Sequence, residues 1–200
     1  MRFTRATLLL VTLGAATQAQ QVVEFESGGL KYKSLTHNGI TVMFTALPLH
    51  VREYAIMQVA ISNGTGIAWN VKPEDCSFEK GTGGSVRALP ARTVVGSLLQ
   101  KAGRGDVIKL VAAYESSLFN NAQIHSTNGY ESRRQNAFAD IGSSRLKAAA
   151  AASAIALVTT KLMPGQSTDG AVFFPNQGRS LGPGTLTVHA AGEVFVFPNE

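Results

Sequence analysis

A strict alternation of side-chain character in several short segments limits most strongly how this chain folds. In GITVMFTAL, one face of an extended chain carries the apolar side chains Ile40, Val42, Phe44 and Ala46. The segment EYAIMQVAIS repeats this period of two. Successive side chains of a β-strand point to opposite faces of its sheet, so both segments are predicted to be strands with one buried face.

Further strand-like segments stand on both sides of these two. QVVEFES and LKYKSLT come before them, GIAWNVKPEDCSFE comes after, and GQSTDGAVFFP, GTLTVHAAG and EVFVFPNE lie towards residue 200. Gly28-Gly29 and Asn38-Gly39 separate the first strands, and these residue types tolerate the positive φ of a tight hairpin turn. Several short strands with such turns predict an antiparallel β-sandwich, formed by residues 20–91 and 161–200.

Two parts of the chain share a recognisable order of strands and turns. In QVAISNGTGIAWNVKPEDCSFE, a strand ends in an Asn-containing turn and a Val-x-Pro segment follows. In MPGQSTDGAVFFP, a Pro-Gly turn precedes a G-x-V-x-F strand. Through these features residues 53–79 and 163–197 resemble exported bacterial immunoglobulin-like β-sandwich domains of unknown function. The resemblance implies an immunoglobulin-like sandwich, and it implies no catalytic residue because those domains have no recognised catalytic signature.

Residues 92–160, between the two β-rich parts, show a different pattern. Apolar side chains recur there at helical spacing, and one stripe comprises Val107, Val111, Tyr114 and Leu118. The break at Gly103-Arg104-Gly105 places Asp106 where it would cap the helix that follows. The chain is therefore predicted to be mainly β, an immunoglobulin-like antiparallel sandwich interrupted by an inserted α-helical hairpin.

The alanine-rich run AAAAASAIALV, residues 148–158, bears on whether the insertion crosses a membrane. A helix of this length spans about 16 Å, whereas a bilayer core is about 30 Å thick, so no transmembrane span is predicted in the mature chain. Alanine favours a helix, which is expected to pack on the 107–118 stripe or on the sandwich. If these helix faces are instead exposed, they form a surface for a partner or for self-association, with the contact residues Val107, Val111, Tyr114, Leu118, Ala148, Ala152 and Ile155.

The first residues have the three-part layout of a secretory signal peptide. Arg2 and Arg5 precede an apolar run over residues 6–16, and small and polar residues follow. That run is much shorter than the roughly 20 residues of a transmembrane helix. Cleavage is expected after Ala19, with Ala16 as the alternative. The prediction is a signal peptide over residues 1–19 and a mature protein in the periplasm or outside the cell.

Charge and cysteine content limit the classes of function. Removal of Arg2 and Arg5 takes two of the 18 basic residues, and the remaining 16 against 13 acidic residues give a net charge of +3. No basic run is interleaved with aromatic residues, so no nucleic-acid partner is predicted. The single cysteine, Cys76, permits no internal disulfide, so the fold must depend on its apolar core.

The residue types used in catalysis and metal binding are scattered. No second histidine or cysteine lies at metal-ligand spacing from any of the four histidines, His37, His50, His125 and His189. No serine stands in a G-x-S-x-G elbow. The sequence therefore predicts no catalytic residue, no cofactor and no metal site. Two short motifs, RGD at 104–106 and the sequon NGT at 63–65, are also explained by a helix break and by a turn.

These observations favour an exported, non-catalytic binding or scaffolding module of the cell envelope. The expected contact with a protein or an envelope surface uses the helical insertion or the strand-edge loops, since long excursions from a compact domain are often functional. Two alternatives stay open. A hydrolase or ligand-binding enzyme with a dispersed site requires a histidine near a carboxylate in a cleft. A peripheral membrane-associating protein would use the alanine-rich helix.

Overall fold

A computed structural model describes residues 21–103, 105–106 and 143–199 of the protein. Within these residues the chain forms strands, two helices, and a short 3-10 turn over Pro73–Asp75. The helices are α1 (Ala91–Lys101) and α2 (Ser144–Ile155). The strands are β1 (Val23–Ser27), β2 (Leu30–His37), β3 (Ile40–Val51), β4 (Tyr54–Asn63), β5 (Trp69–Val71), β6 (Cys76–Lys80), β7 (Ser85–Arg87), β8 (Thr160–Leu162), β9 (Ser167–Pro175), β10 (Gly184–Ala190) and β11 (Glu193–Asn199).

The strands form two main antiparallel sheets. One has the order β1-β2-β3-β4-β9 and the other the order β11-β10-β6-β7, while β5 and β8 form a separate pair. Positive φ angles at Gly28, Gly29, Asn38 and Gly39 produce the two hairpin turns expected from the sequence. The prediction of a mainly β, antiparallel fold with helices is confirmed.

The first hydrophobic core lies between the two sheets. The alternating face of β3 supplies Ile40, Val42 and Phe44 to it, as the period of two predicts. Phe44 meets Phe197 of the opposite sheet edge to face, with ring centroids 5.1 Å apart. Apolar side chains from both sheets therefore join across the interior, which is the arrangement of a β-sandwich.

A second core lies on the other face of the five-stranded sheet, beneath the two helices. Tyr54 and Ile56 of β4 are buried there, although the alternation predicts one buried face for this strand. Val94 and Leu98 of α1 pack into the same cluster. Strand β4 is buried on both faces because the sandwich covers one and the helices cover the other.

The chain leaves the helical layer along the free edge of β9. Helix α2 ends at Ile155, earlier than the alanine-rich pattern suggests, and the amide of Leu157 donates to the carbonyl of Ala171 at 2.9 Å. The amide of Leu89 donates to the carbonyl of Phe173, also at 2.9 Å. Carbonyl groups on the β9 edge thus accept hydrogen bonds from the extended backbone before α1 and from the extended backbone after α2. These segments cover the edge of β9, so we call it closed.

A polar network attaches the end of α1 to the β3–β4 turn. Arg52 donates to the carbonyl oxygen of Lys101, and its Nε lies 3.7 Å from a carboxylate oxygen of Asp106. Glu53 accepts a hydrogen bond from the hydroxyl of Ser97 at 2.9 Å and lies 3.8 Å from the ammonium of Lys101. The network fixes the carboxyl end of α1 against the sheet.

Replacing Glu53 with Gln is expected to remove a stabilising contribution that depends on pH. Partial burial alone would raise the pKa of Glu53, but hydrogen bonds from its own backbone and from Ser97, with the charge of Lys101, bring the pKa below its ordinary value. A carboxyl whose pKa is lowered by folding stabilises the fold above its unfolded pKa, and this contribution is lost as the pH falls through the folded value. Urea unfolding of wild type and E53Q at pH 7 and at about pH 3 should show a difference that disappears in acid. Glu79→Gln, at an exposed position of β6, is the control. A stability difference of the same size at both pH values, or an equal effect of the control, would contradict this assignment.

Candidate functional site

The structure buries the described members of the predicted partner-contact set. Ala148 and Ala152 are 0% exposed and Ile155 is 2% exposed, because α2 packs with this face on α1 and on the five-stranded sheet. A partner reaches these three side chains only if α2 separates from the sheet. The other members, Val107, Val111, Tyr114 and Leu118, lie outside the described residues, so the contact set as a whole stays a prediction.

The exposed side chains of the helical layer have a distinct composition. Leu99 and Leu146 are 40% and 50% exposed. Neither α1 nor α2 contains an acidic residue. We define the outer helix face as the exposed residues Arg92, Leu99, Arg145, Leu146 and Lys147.

The positive charges of the outer helix face have no described counter-charge. No described residue forms an ion pair with Arg92, Arg145 or Lys147. The absence of Asp and Glu from ARTVVGSLLQK and SRLKAAAAASAI is visible in the sequence. Which side of each helix is exposed depends on how the helices pack, and periodicity along the sequence does not give this packing.

Neither described helix has the length and apolar character needed to cross a membrane, as expected from the alanine-rich run.

A cleft of about 560 Å³ opens between the two sheets at the end where the β9–β10 loop lies. We call it the inter-sheet cleft. Its floor is mostly apolar and includes Phe44, Met57 and Leu181. Ala46 of β3 also lines it, at the point where the pairing of β3 with β4 is interrupted. This irregularity lets the sandwich open at one end.

Two lysines of β2 line the inter-sheet cleft. The ammonium of Lys33 donates to the carbonyl oxygen of Pro198 at 2.6 Å and lies 2.8 Å from a carboxylate oxygen of Glu24. Lys33 thereby joins β2 to the last strand of the opposite sheet. Lys31 is exposed, and its ammonium has no hydrogen-bond or ion-pair partner among the described residues.

One histidine lies close to a carboxylate, as the dispersed-site alternative requires. His37 Nε2 is 3.4 Å from an oxygen of Glu193, with both side chains about one third exposed. The side-chain amide of Asn38 lies between them, 3.1 Å from His37 Nε2 and 2.9 Å from Glu193 Oε1. The pair links two hairpin turns at the surface and does not line the inter-sheet cleft. Its geometry is therefore that of a contact between two turns.

The other described histidines, His50 and His189, are separate from this pair. His189 is exposed and lines a shallow polar depression with Asp75, Lys72 and Asn70. His50 is exposed on β3, and His125 lies outside the described residues. Across the described ranges, no three His, Cys, Asp or Glu side chains are grouped to hold a metal ion.

Cys76 is a buried core residue, as the alternation in CSFE suggests. It is 0% exposed and packs between the sheets. Burial, with a smaller effect of the neighbouring Asp75 charge, raises the pKa of the thiol to about 12. The thiol therefore stays protonated at neutral pH and is a poor nucleophile.

The two short motifs have structural roles. Asn63 of NGT is 1% exposed, and its side-chain amide donates to the carbonyls of Ile67 and Leu162 at 2.8 and 3.2 Å. Its carbonyl oxygen accepts from the amide and the hydroxyl of Thr65. In RGD, a carboxylate oxygen of Asp106 accepts from the amide of Gly103 at 2.8 Å and closes a turn. The helix that Asp106 was predicted to cap lies outside the described residues.

Comparisons with protein-family models, with curated proteins and with solved structures returned no match to this chain.

Proposed function

We propose that the protein is an exported, non-catalytic binding module that contacts an anionic lipid surface of the cell envelope through the outer helix face. The observation that carries the proposal is the composition of that face: three exposed cationic side chains, two exposed leucines and no acidic residue in either helix. A periplasmic or extracellular location and an immunoglobulin-like sandwich of the exported bacterial type belong to the same proposal.

Anionic lipids attract such a surface by two additive effects. A basic side chain near an anionic leaflet contributes about 1 kcal/mol, and Arg92, Arg145 and Lys147 have no described carboxylate to compete for them. Leu99 and Leu146 add apolar area that is buried when it enters the headgroup region. The contact stays peripheral because neither helix has the length to enter further.

Vesicle co-sedimentation of the purified protein tests the proposal. Binding to phosphatidylglycerol-containing vesicles is expected at low salt, with weak binding to pure phosphatidylcholine vesicles and a loss of binding at high salt. The double variant Arg145→Glu, Lys147→Glu should weaken the binding to anionic vesicles by at least about tenfold. Acidic residues are favourable in the first turn of a helix, so this variant is expected to fold normally.

Lys161→Glu provides the matched control, because Lys161 is an exposed cation on β8, outside the helical layer. It should leave most of the vesicle binding intact. Equal binding to neutral and anionic vesicles, or equal losses in the two charge-reversal variants, would reject the outer helix face as the contact surface.

A further inference from the structure

The inter-sheet cleft is separate from the outer helix face and has the dimensions of a small-molecule site. Ligand sites in proteins have volumes of about 300–1,000 Å³ and combine apolar walls with few polar groups. The cleft has about 560 Å³, an apolar floor that includes Phe44 and Met57, and charged residues on one side only.

The charges that line the cleft select the sign of a ligand. Its lining includes three charged side chains, Glu24, Lys31 and Lys33. Lys33 forms an ion pair with Glu24 and donates a hydrogen bond to the carbonyl oxygen of Pro198, so the charge of Lys33 is already compensated. Lys31 is exposed beside the apolar floor, and no described residue, including Glu26 opposite it on β1, forms an ion pair with it.

We propose that the inter-sheet cleft binds an amphiphilic monocarboxylate, with its alkyl body against the accessible side chains of Ala46 and Leu181 and its carboxylate on the ammonium of Lys31. An alkyl chain removes from water the apolar surface that is exposed at the open end of the sandwich. A single carboxylate matches the one lysine of the cleft that has no described ion pair, and the new ion pair at the mouth of the cleft stays partly hydrated, which limits the desolvation cost. Nothing in this proposal requires the outer helix face or a membrane.

Isothermal titration of the purified protein with three ligands that share a decyl chain tests the charge preference. Decanoate, below its micelle concentration, is expected to bind saturably at one site and about tenfold more tightly than neutral decanol, since only the carboxylate can pair with the ammonium of Lys31. Decyltrimethylammonium should bind more weakly than decanol. No saturable decanoate binding, or equal affinities for the anionic and cationic ligands, overturns the proposal.

Two variants locate the site. Lys31→Met keeps the length of the side chain and removes its charge, so it should reduce the decanoate affinity about tenfold, to the level of decanol. The matched variant Lys161→Met removes an exposed strand lysine elsewhere and should change nothing. Ala46→Trp fills the cleft and should abolish the binding of both ligands, with circular dichroism verifying the fold. If Lys31→Met and Lys161→Met have equal effects, or if Ala46→Trp still binds decanoate, the ligand does not occupy this cleft.

Discussion

Ile155→Asp is expected to destabilise the whole protein by at least about 4 kcal/mol. Ile155 is 2% exposed and packs among Leu98, Ala151 and Phe173 in the core beneath the helices. The substitution removes a large apolar side chain and places a carboxylate where no described cation lies in the same cluster. Urea unfolding measured by fluorescence of Trp69, the single and largely buried tryptophan, reports the loss as a lower midpoint.

Leu146→Asp is the matched control on the same helix. Leu146 is 50% exposed, and aspartate in the first turn of a helix is favourable, so the stability should change by no more than about 0.5 kcal/mol. Leu146→Asp should nevertheless weaken vesicle binding, because Leu146 belongs to the outer helix face. Comparable losses of stability in both variants would mean that α2 is oriented differently from the structure described above.

The difference between Ile155 and Leu146 shows what periodicity can predict. Ala148, Ala152 and Ile155 recur at helical spacing, so the sequence correctly groups them on one face of a helix. It does not say what covers that face, because a buried stripe and an exposed apolar stripe have the same period. The five-stranded sheet and α1 cover it here, and the exposed side chains Arg145, Leu146 and Lys147 lie in the first turn of α2.

The strands were more predictable than the site. Period two and the turn residues located the strands on either side of Asn38-Gly39, since these signals are local. The burial of both faces of β4 was not predictable, because it depends on helices about 40 and 90 residues away in the chain. The inter-sheet cleft combines Lys31, Met57 and Leu181 from three distant segments, and no spacing along the chain brings these residues together.

Gly170→Ala is expected to cost about 3 kcal/mol of stability, because it forces two backbones apart. A Cβ at position 170 would lie 2.4 Å from both the Cα and the backbone nitrogen of Leu157, and 2.9 Å from the carbonyl carbon of Ala156. These are backbone atoms, so no side-chain rotation relieves the clash. The same stretch carries the hydrogen bond from the Leu157 amide to Ala171 that closes the edge of β9.

A glycine inside a strand often marks a close approach of another backbone, and the closed β9 edge is such a place. Gly96→Ala in α1 is the matched control, because no atom lies within 4 Å of its added Cβ and alanine favours a helix. That variant should gain about 0.5–1 kcal/mol, so the two Gly→Ala substitutions shift the urea midpoint in opposite directions. If Gly170→Ala is instead neutral, the segment after α2 does not lie on β9. The helices would then be free to separate from the sheet, and Ala148, Ala152 and Ile155 would again be accessible to a partner.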